Sequence, residues 1–554
     1  MASPRIQVGA GMGGLLKDGY KEMSGLEMAI LKNIEAVNDL GKICRTSMGP
    51  NGMNKLVINH LEKVFVTSDA ATILTELEVV HPAANMVVMA AKMQEQEFGD
   101  LTNFVISFAA ELLLQAQGLL RVGVHPSEIV AGYKKATEFA LSSLEQLVCA
   151  RVSDVRDPRC VSECIRAVVA SKNYGYGDLL SGLVAEAACM VVPPAPKKAS
   201  IDMDNVRVVK LLGGNIHMSS VVKGMIIRRP AEGSVTRVAN AKVAVFGTSV
   251  EAAQTETKGT VLLNNAEELL NYNISEEHLM EEQIRGIAES GANVIVSGGS
   301  LSEMALHFID RYKMLVVKVT SKWQLRRLCR TVGATALVRL GPVMPDEMGH
   351  CDLVETVEVA GGKCVVFRQD KEESMVSTIV LRSSTTQQLD DLERAVGDGV
   401  NTVRSYIADP RLLPGGGATE IEMATRIAKV GEATKGLEQY AINKFAEALE
   451  VIPKTLAENA GQDPTVVISN LYAAHKRGEV NAGIDINNKT RVADMHANKV
   501  YDTYAAKLQA LRLATDVAIT ILRVDSVIMS KQAGGPKKAA GQQGGAPQGG
   551  GDRE

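Results

Sequence analysis

The chain changes character twice along its length and then changes back, and that order constrains its fold more than any single motif. Residues 25–147 read as mostly helical: Leu26, Ala29, Ile30 and Ile34 recur at helical spacing. Phe104 to Leu120 is an apolar, nearly uncharged helix that must be buried. Lys55-Leu-Val-Ile-Asn and Val64-Phe-Val-Thr are short enough to pair as a hairpin, and His125-Pro126-Ser127-Glu128 opens the next helix. After Arg151 come β-rich runs: Val206 to Leu212, Ser220 to Ile227 and Lys242 to Phe246. A charged helical stretch, Ala266 to Ser290, precedes the strands of Asn293 to Ser297, Met314 to Val319 and Thr335 to Val338, which alternate with helices in the manner of an α/β layer. One more strand, Ser377 to Arg382, leads into helices around Gln387–Arg404, Ala418–Val430, Gly436–Ala460 and Asp502–Val524. Helical, mixed, α/β, mixed, helical is a near-palindrome. It predicts nested domains, with two distant helical halves pairing and the middle inserted as an excursion.

The length agrees, because 554 residues exceed what one core organises. With aromatics at 4%, the cores must rest on Val, Ile, Leu, Ala and Met. The 60 basic and 64 acidic residues give a net charge of -4, which offers no support for a nucleic-acid partner. No apolar run is expected to span a bilayer, and Met1-Ala-Ser-Pro-Arg lacks the basic and apolar blocks of a leader, so a cytoplasmic, membrane-free protein is expected. Eight scattered cysteines form no zinc pattern; Cys160 and Cys164 share a helix face without a second pair, and reduced buried thiols are expected. From residue 532 to 554 the Gly-, Pro- and Gln-rich tail is expected to be disordered.

No Gly-x-x-x-x-Gly-Lys-[Ser/Thr] is present, and Gly9-Ala-Gly-Met-Gly-Gly14 matches a dinucleotide loop only formally. Five other segments are candidates for phosphate chemistry. Gly99-Asp100-Leu101-Thr102-Asn103 places a carboxylate beside a hydroxyl, an amide and a glycine, a set able to hold a divalent cation and phosphate oxygens. Thr46-Ser-Met-Gly49-Pro50-Asn-Gly52 is a turn able to offer free N–H groups, and equally an ordinary helix stop. In Thr67-Ser68-Asp69-Ala-Ala-Thr72, Asp69 suits an N-cap or a site carboxylate. Pro414-Gly415-Gly416-Gly417-Ala-Thr-Glu420 permits close backbone approach at a helix start, or serves as a hinge. Asp398, in Glu393-Arg394-Ala-Val-Gly-Asp398, is in the position of a solvated surface residue or of a lone catalytic carboxylate.

Together these segments resemble the group II chaperonins, the archaeal thermosomes and the eukaryotic cytosolic chaperonin TRiC. The likeness runs from about Ser24 to about Lys531 and is carried also by Ala288-Glu-Ser-Gly-Ala-Asn-Val-Ile-Val and Leu456-Ala-Glu-Asn-Ala-Gly. A finer likeness to one paralogous subunit rests on Asn51 to Lys63, on Gly436-Leu-Glu-Gln-Tyr-Ala-Ile and on the Ala533-Gly-Gly-Pro-Lys tail. The resemblance implies a multidomain α and α/β chaperonin fold: a helical equatorial domain (1–147 with 407–531), a small intermediate domain (148–215 with 372–406) and an α/β apical domain (216–371). The charged stretch after Thr255 would be its helical lid protrusion.

It further implies an ATP-dependent double-ring machine that encloses and folds non-native proteins such as actin and tubulin. Paralogous subunits would form eight-membered rings, with ATP and Mg2+ as cofactors. By that resemblance Asp69 and Asp398 position and deprotonate the attacking water, and Asp100 binds Mg2+. Met48, Gly49 and Pro50 line the phosphates, with donors from Leu101, Thr102 and Asn103. Ser171 and Lys172 form a nucleotide-sensing loop, Gly415 and Gly416 pack on the nucleotide, and Asp502 bonds the ribose hydroxyls. Leu101 stands where these proteins usually have glycine, Asn103 where they have threonine, Ser68 and Ala70 where Asn and Gly bracket the aspartate, and Gly397 where a histidine or acid is common. A leucine forced to positive φ costs on the order of 1 kcal/mol and adds bulk near the phosphates. A nucleotide-holding structural ring subunit with little hydrolysis is therefore the alternative function; a stand-alone phosphotransferase is disfavoured, for no acceptor pocket is readable.

Overall fold

A computed structural model describes residues 21–24, 26–172, 175–193, 199–251, 266–359, 361–370, 376–486 and 492–529. The Gly9–Gly14 run, the start of the charged stretch after Thr255 and the tail after 532 lie outside these residues.

In the helix Leu26–Arg45, Ile30, Ile34, Val37 and Cys44 fall on one face and are buried, packing that face on the helix Thr102–Val122. Thr102–Val122 is 21 residues long with a mean hydropathy of 1.3, enough in length and composition for a membrane span and more than the sequence expectation allowed. Its side chains from Phe104 to Leu119 are largely buried against protein. The helix Glu438–Leu449 lies on it from the other end of the chain: Phe445 meets Phe108 edge-on at 5.4 Å and Tyr133 at 5.8 Å, while the Tyr133 hydroxyl donates to the Leu112 carbonyl. One hydrophobic core thus joins side chains of residues 30–147 to those of 413–522.

A second core gathers Val152 to Ile216 with Ile379 to Leu412 around the helices Pro158–Lys172, Gly177–Val191 and Thr386–Ala408. A sheet that begins in this second core runs in spatial order Val206–Leu212, Ser377–Ser383, Ser220–Ile227, Gly362–Arg368, Gly349–Val359, Arg237–Phe246, Val294–Ser297 and Leu315–Lys318. Its last three strands are parallel and are joined through helices Ala266–Glu289 and Glu303–Arg311, with cores on both faces.

The Lys55–Ile58 and Val64–Thr67 strands pair antiparallel as expected. Three local expectations change. The Gly436–Ala460 segment is two helices, Glu438–Leu449 and Val451–Asn459, because Pro453 has no N–H to continue the ladder. Asp502 is not helical: Tyr501–Thr503 is a strand paired with Arg411–Pro414, which in turn pairs with Ala150–Arg151. The hairpin of Gly349–Val359 and Gly362–Arg368 escaped the sequence patterns, since Asp352, Glu355 and Glu358 interrupt its apolar residues.

Candidate functional site

The helix Pro82–Phe98 ends at Gly99, at φ 70°, where a Cβ would stand 2.4 Å from Asn401 Nδ2. Glycine is required there. Leu101 then adopts φ 64°, ψ 18°, and starts the helix Thr102–Val122 without any side-chain cap. The positive φ that would strain a leucine is therefore present. A second helix, Ala418–Ala433, also begins without a side-chain cap, after Gly416 (φ 61°) and Gly417 (φ 82°). Both helix starts border one cavity of about 300 Å³. Uncapped first-turn N–H groups with the positive ends of two helix dipoles make that cavity a place for an anion.

Met48, Gly49, Pro50, Asp100, Leu101, Thr102, Asn103, Ser171, Lys172, Gly416 and Asp502 line the cavity. The Thr46–Gly52 turn is pinned from the other half of the chain: the Asn459 amide donates to the Arg45 and Met48 carbonyls at 3.0 and 2.8 Å. Gly415 stands behind the lining, its N–H donating to Val500 O. Asp69 and Asp398 reach the cavity through Lys172, whose Nζ lies 2.6 Å from Asp69 Oδ1 and 3.2 Å from Asp398 Oδ2. Asp69 is also the N-cap of the helix Ala70–Glu76, accepting from the Thr72 N–H and hydroxyl, which is the capping role read for it. Asp398 is no surface residue; it is buried on the helix Thr386–Ala408 where that helix packs on Pro158–Lys172.

The side-chain donors differ from expectation. Thr102 Oγ1 donates to Glu95 Oε2 at 2.8 Å, Asn103 Nδ2 donates to the Cys44 carbonyl at 2.9 Å, and the Ser171 hydroxyl donates to Val168 O. What this wall offers an anion is chiefly backbone N–H. Asn103 serves instead to tie its helix to Leu26–Arg45.

Burial and charge set the titration of the carboxylates. Burial opposes ionisation of Asp69, but the Lys172 ammonium and the Thr72 donors outweigh it and hold the carboxyl down at about 2. Asp398, buried and farther from the same ammonium, is raised well above the usual carboxylate range, with Glu95 and Asp69 adding repulsion. Burial and the Asp502 charge raise Asp100, whose Oδ1 accepts from the Leu101 N–H. Lys172 remains protonated: burial opposes its charge, and Asp398, Asp69 and Glu95 more than compensate.

Sequence patterns missed Glu95 and Lys507, and gave Gly417 and Glu420, though both stand in the quoted glycine motif, no role of their own. Glu95 sits within Gln94-Glu-Gln-Glu97, which looks like a solvated face, yet burial and Asp69 push its carboxyl up to about 7. Lys507 and Glu420 pair across 87 positions of sequence, a partnership without a local signal.

Among the described residues no three or more His, Cys, Asp and Glu side chains form a group able to hold a metal alone. A single carboxylate such as Asp100 fits magnesium, which takes its other ligands from phosphates and water.

A Gly-Asp-x-Thr wall and a glycine wall of Gly416 and Gly417 face each other across one cavity, and the pattern of the TCP-1/cpn60 chaperonin family matches residues 40–532. The chain belongs to the TCP-1/cpn60 chaperonin family. Within it, the chain is 52% identical over 533 residues to T-complex protein 1 subunit theta of Bos taurus, covering 96% of this chain and 97% of that protein. It is likewise 52% identical over 533 residues to the theta subunit of Homo sapiens, with the same coverage. The theta subunit of Arabidopsis thaliana is 50% identical over 538 residues, 97% of each chain. These are full-length likenesses that include both walls of the cavity, and they agree with the finer likeness read from Asn51–Lys63 and Gly436–Ile442. The multidomain α and α/β chaperonin fold expected from the sequence is the fold of this family.

Proposed function

We propose that this chain is a theta-type subunit of the cytosolic T-complex chaperonin. It binds ATP with Mg2+ in the cavity between the two uncapped helix starts and couples hydrolysis to closure of a lid over non-native proteins. The observation that carries this reading is the joint presence, around one cavity, of two uncapped helix N-termini, the Asp100 carboxylate and the Lys172-bridged pair of Asp69 and Asp398. The backbone N–H groups at Thr102–Phe104 and Gly416–Ala418, with Met48, Gly49 and Pro50, cradle the phosphates. Asp100 holds Mg2+, which supplies charge neutralisation at the phosphates when bound. Asp69, kept ionised by Lys172, orients a water, and Asp398, a carboxylate on the separate helix Thr386–Ala408 beside the same ammonium, takes its proton.

The domain division 1–147 with 407–531, 148–215 with 372–406, and 216–371 is supported by the cores, one joining 30–147 to 413–522 and another joining 152–216 to 379–412. Asp69 and Asp398 then belong to different bodies. Closure between those bodies brings the two carboxylates to the water together and links hydrolysis to lid movement. Paralogous subunits in eight-membered double rings, clients including actin and tubulin, and a cytoplasmic location complete the reading.

Leu101 favours a second reading, a subunit that holds nucleotide with little turnover. Phosphate release by assembled rings carrying Asp398→Ala in this subunit separates the two. Loss of this chain's share of the release supports hydrolysis here, and an unchanged rate supports the structural role. A particle the size of a monomer in lysate overturns the ring assembly altogether.

A further inference from the structure

Lys507 is the most deeply buried cation bordering the cavity. It lies on the helix Tyr504–Leu522 with 2% side-chain exposure, ion-paired to Glu420, itself 1% exposed, and 2.8 Å from Asp502 Oδ2. Its Nζ also sits over the Phe104 ring, 4.6 Å from the centroid. An ammonium has three N–H donors. Two point to carboxylates and the remaining face of the charge is covered by an aromatic ring, so Lys507 has no donor left for a ligand. Burial works against its charge, yet Asp502 and Glu420 raise its pKa above the ordinary lysine value, and the ammonium persists.

Its effect on a ligand must therefore pass through Asp502. The backbone of Asp502 is fixed in the sheet opposite Leu413, and its side chain is the outermost of the three, 23% exposed on the cavity wall. With Oδ2 engaged by Lys507, Oδ1 is left as the acceptor. It lies beside Gly415, 3.5 Å from where a Cβ would stand, so the neighbouring backbone leaves it room. One carboxylate oxygen has two lone pairs, which matches two adjacent hydroxyls.

We infer that Lys507, held by Glu420, is a positioning residue that orients the Asp502 carboxylate for a vicinal diol, and so sets the preference of this cavity for a ribose over a deoxyribose nucleotide. The inference rests on the nucleotide reading of the cavity. Glu420 has a role of its own in it. Its Oε2 is buried without a hydrogen-bond partner among the described residues, so the carboxylate is kept for the ion pair rather than for local bonding.

The test is nucleotide affinity of the full-length chain for ATP, 2′-deoxy-ATP and 3′-deoxy-ATP. The unmodified chain is expected to prefer ATP over either deoxy form by about tenfold, the size of one charge-assisted hydrogen bond. Lys507→Met leaves Glu420 buried and unpaired, so it is combined with Glu420→Gln to preserve folding. That double variant is expected to lose about tenfold for ATP while binding the deoxy forms nearly as before, so that discrimination collapses. Asp502→Asn, with Lys507 intact, removes the acceptor charge at a partly exposed position and is expected to collapse discrimination in the same way. Equal weakening of all three nucleotides in the double variant marks a merely structural lysine and overturns the inference. So does discrimination that survives in Asp502→Asn, or an unmodified chain that binds ATP without preference. A chain that binds none of the three overturns the nucleotide reading itself and the inference with it.

Discussion

Lys172 Nζ stands 2.6 Å from Asp69 Oδ1, and this ion pair spans 103 residues of sequence and joins two separate cores. The same ammonium reaches Asp398, so its removal strands two buried carboxylates. Lys172→Met is expected to destabilise the folded chain by about 3–5 kcal/mol, read by urea denaturation. The pH dependence gives a second check. Asp69 is held at about 2, below its unfolded value, so its contribution is fully present at neutral pH and is lost as pH falls from about 4 towards 2. That contribution is on the order of 2 kcal/mol. In Lys172→Met this acid limb should flatten; an unchanged limb would assign it to other carboxylates.

Glu95 behaves in the opposite sense. Burial and Asp69 raise its carboxyl to about 7 while Thr102 donates to it. Between about pH 4.5 and 7 the folded chain keeps a proton that the unfolded chain has released. Stability therefore falls as pH rises through this window, by an amount on the order of 3 kcal/mol. Glu95→Gln should remove the slope, so that the variant gains stability over the unmodified chain at pH 7.5 more than at pH 5. Chemical denaturation at the two pH values reads the difference, and a slope that persists in the variant refutes the assignment.

The legible parts of the structure were those written in local chemistry. The Leu26–Arg45 stripe, the Lys55–Thr67 hairpin and the glycines before Ala418 each announce themselves within a dozen residues. The wall from Gly99 to Asn103 was legible for the same reason, down to the strained leucine. What the sequence hid depends on partners far away. Asp398 looked like a surface residue because nothing near it shows that Lys172 and the packed helix Pro158–Lys172 bury it. Thr102 and Asn103 looked like ligand donors because Glu95 and the Cys44 carbonyl, which take their hydrogen bonds, come from other helices. Asp502 was read as helical because a three-residue strand has too few positions to show a period.

Gly417 and Gly415 separate conformational need from mere adjacency. At Gly417, φ is 82° and a Cβ would stand 2.8 Å from Pro453 Cβ, a rigid neighbour. Gly415 lies outside the left-handed region, and its nearest contact would be Val500 Cγ1 at 3.1 Å, the end of a side chain. Gly417→Ala is expected to cost about 2 kcal/mol, combining αL strain with overpacking, and Gly415→Ala less than about 1 kcal/mol. Thermal unfolding of the two variants gives the ranking. Because Gly417 starts the helix that faces the cavity, its variant should also bind nucleotide more weakly, by equilibrium titration; a Gly417→Ala chain as stable as Gly415→Ala contradicts the geometry.

Leu101 holds a conformation that glycine adopts freely, at a cost of about 1 kcal/mol, and its side chain packs partly on the helical core while also lining the cavity. Leu101→Gly relieves the strain but gives up that packing and loosens the unfolded chain, so the net change in stability should be within about 1 kcal/mol. The functional change is expected to be larger. Without the side chain, the first-turn N–H groups of Thr102–Val122 meet phosphate with no bulk beside them, and phosphate release per site should rise several-fold. Leu101→Asn tests which property matters, because asparagine tolerates the left-handed region yet keeps a side chain there. If bulk limits turnover, Leu101→Asn stays slow while Leu101→Gly is fast; if strain limits it, both are fast. Equal rates in all three chains would clear Leu101 of any part in slowing the site.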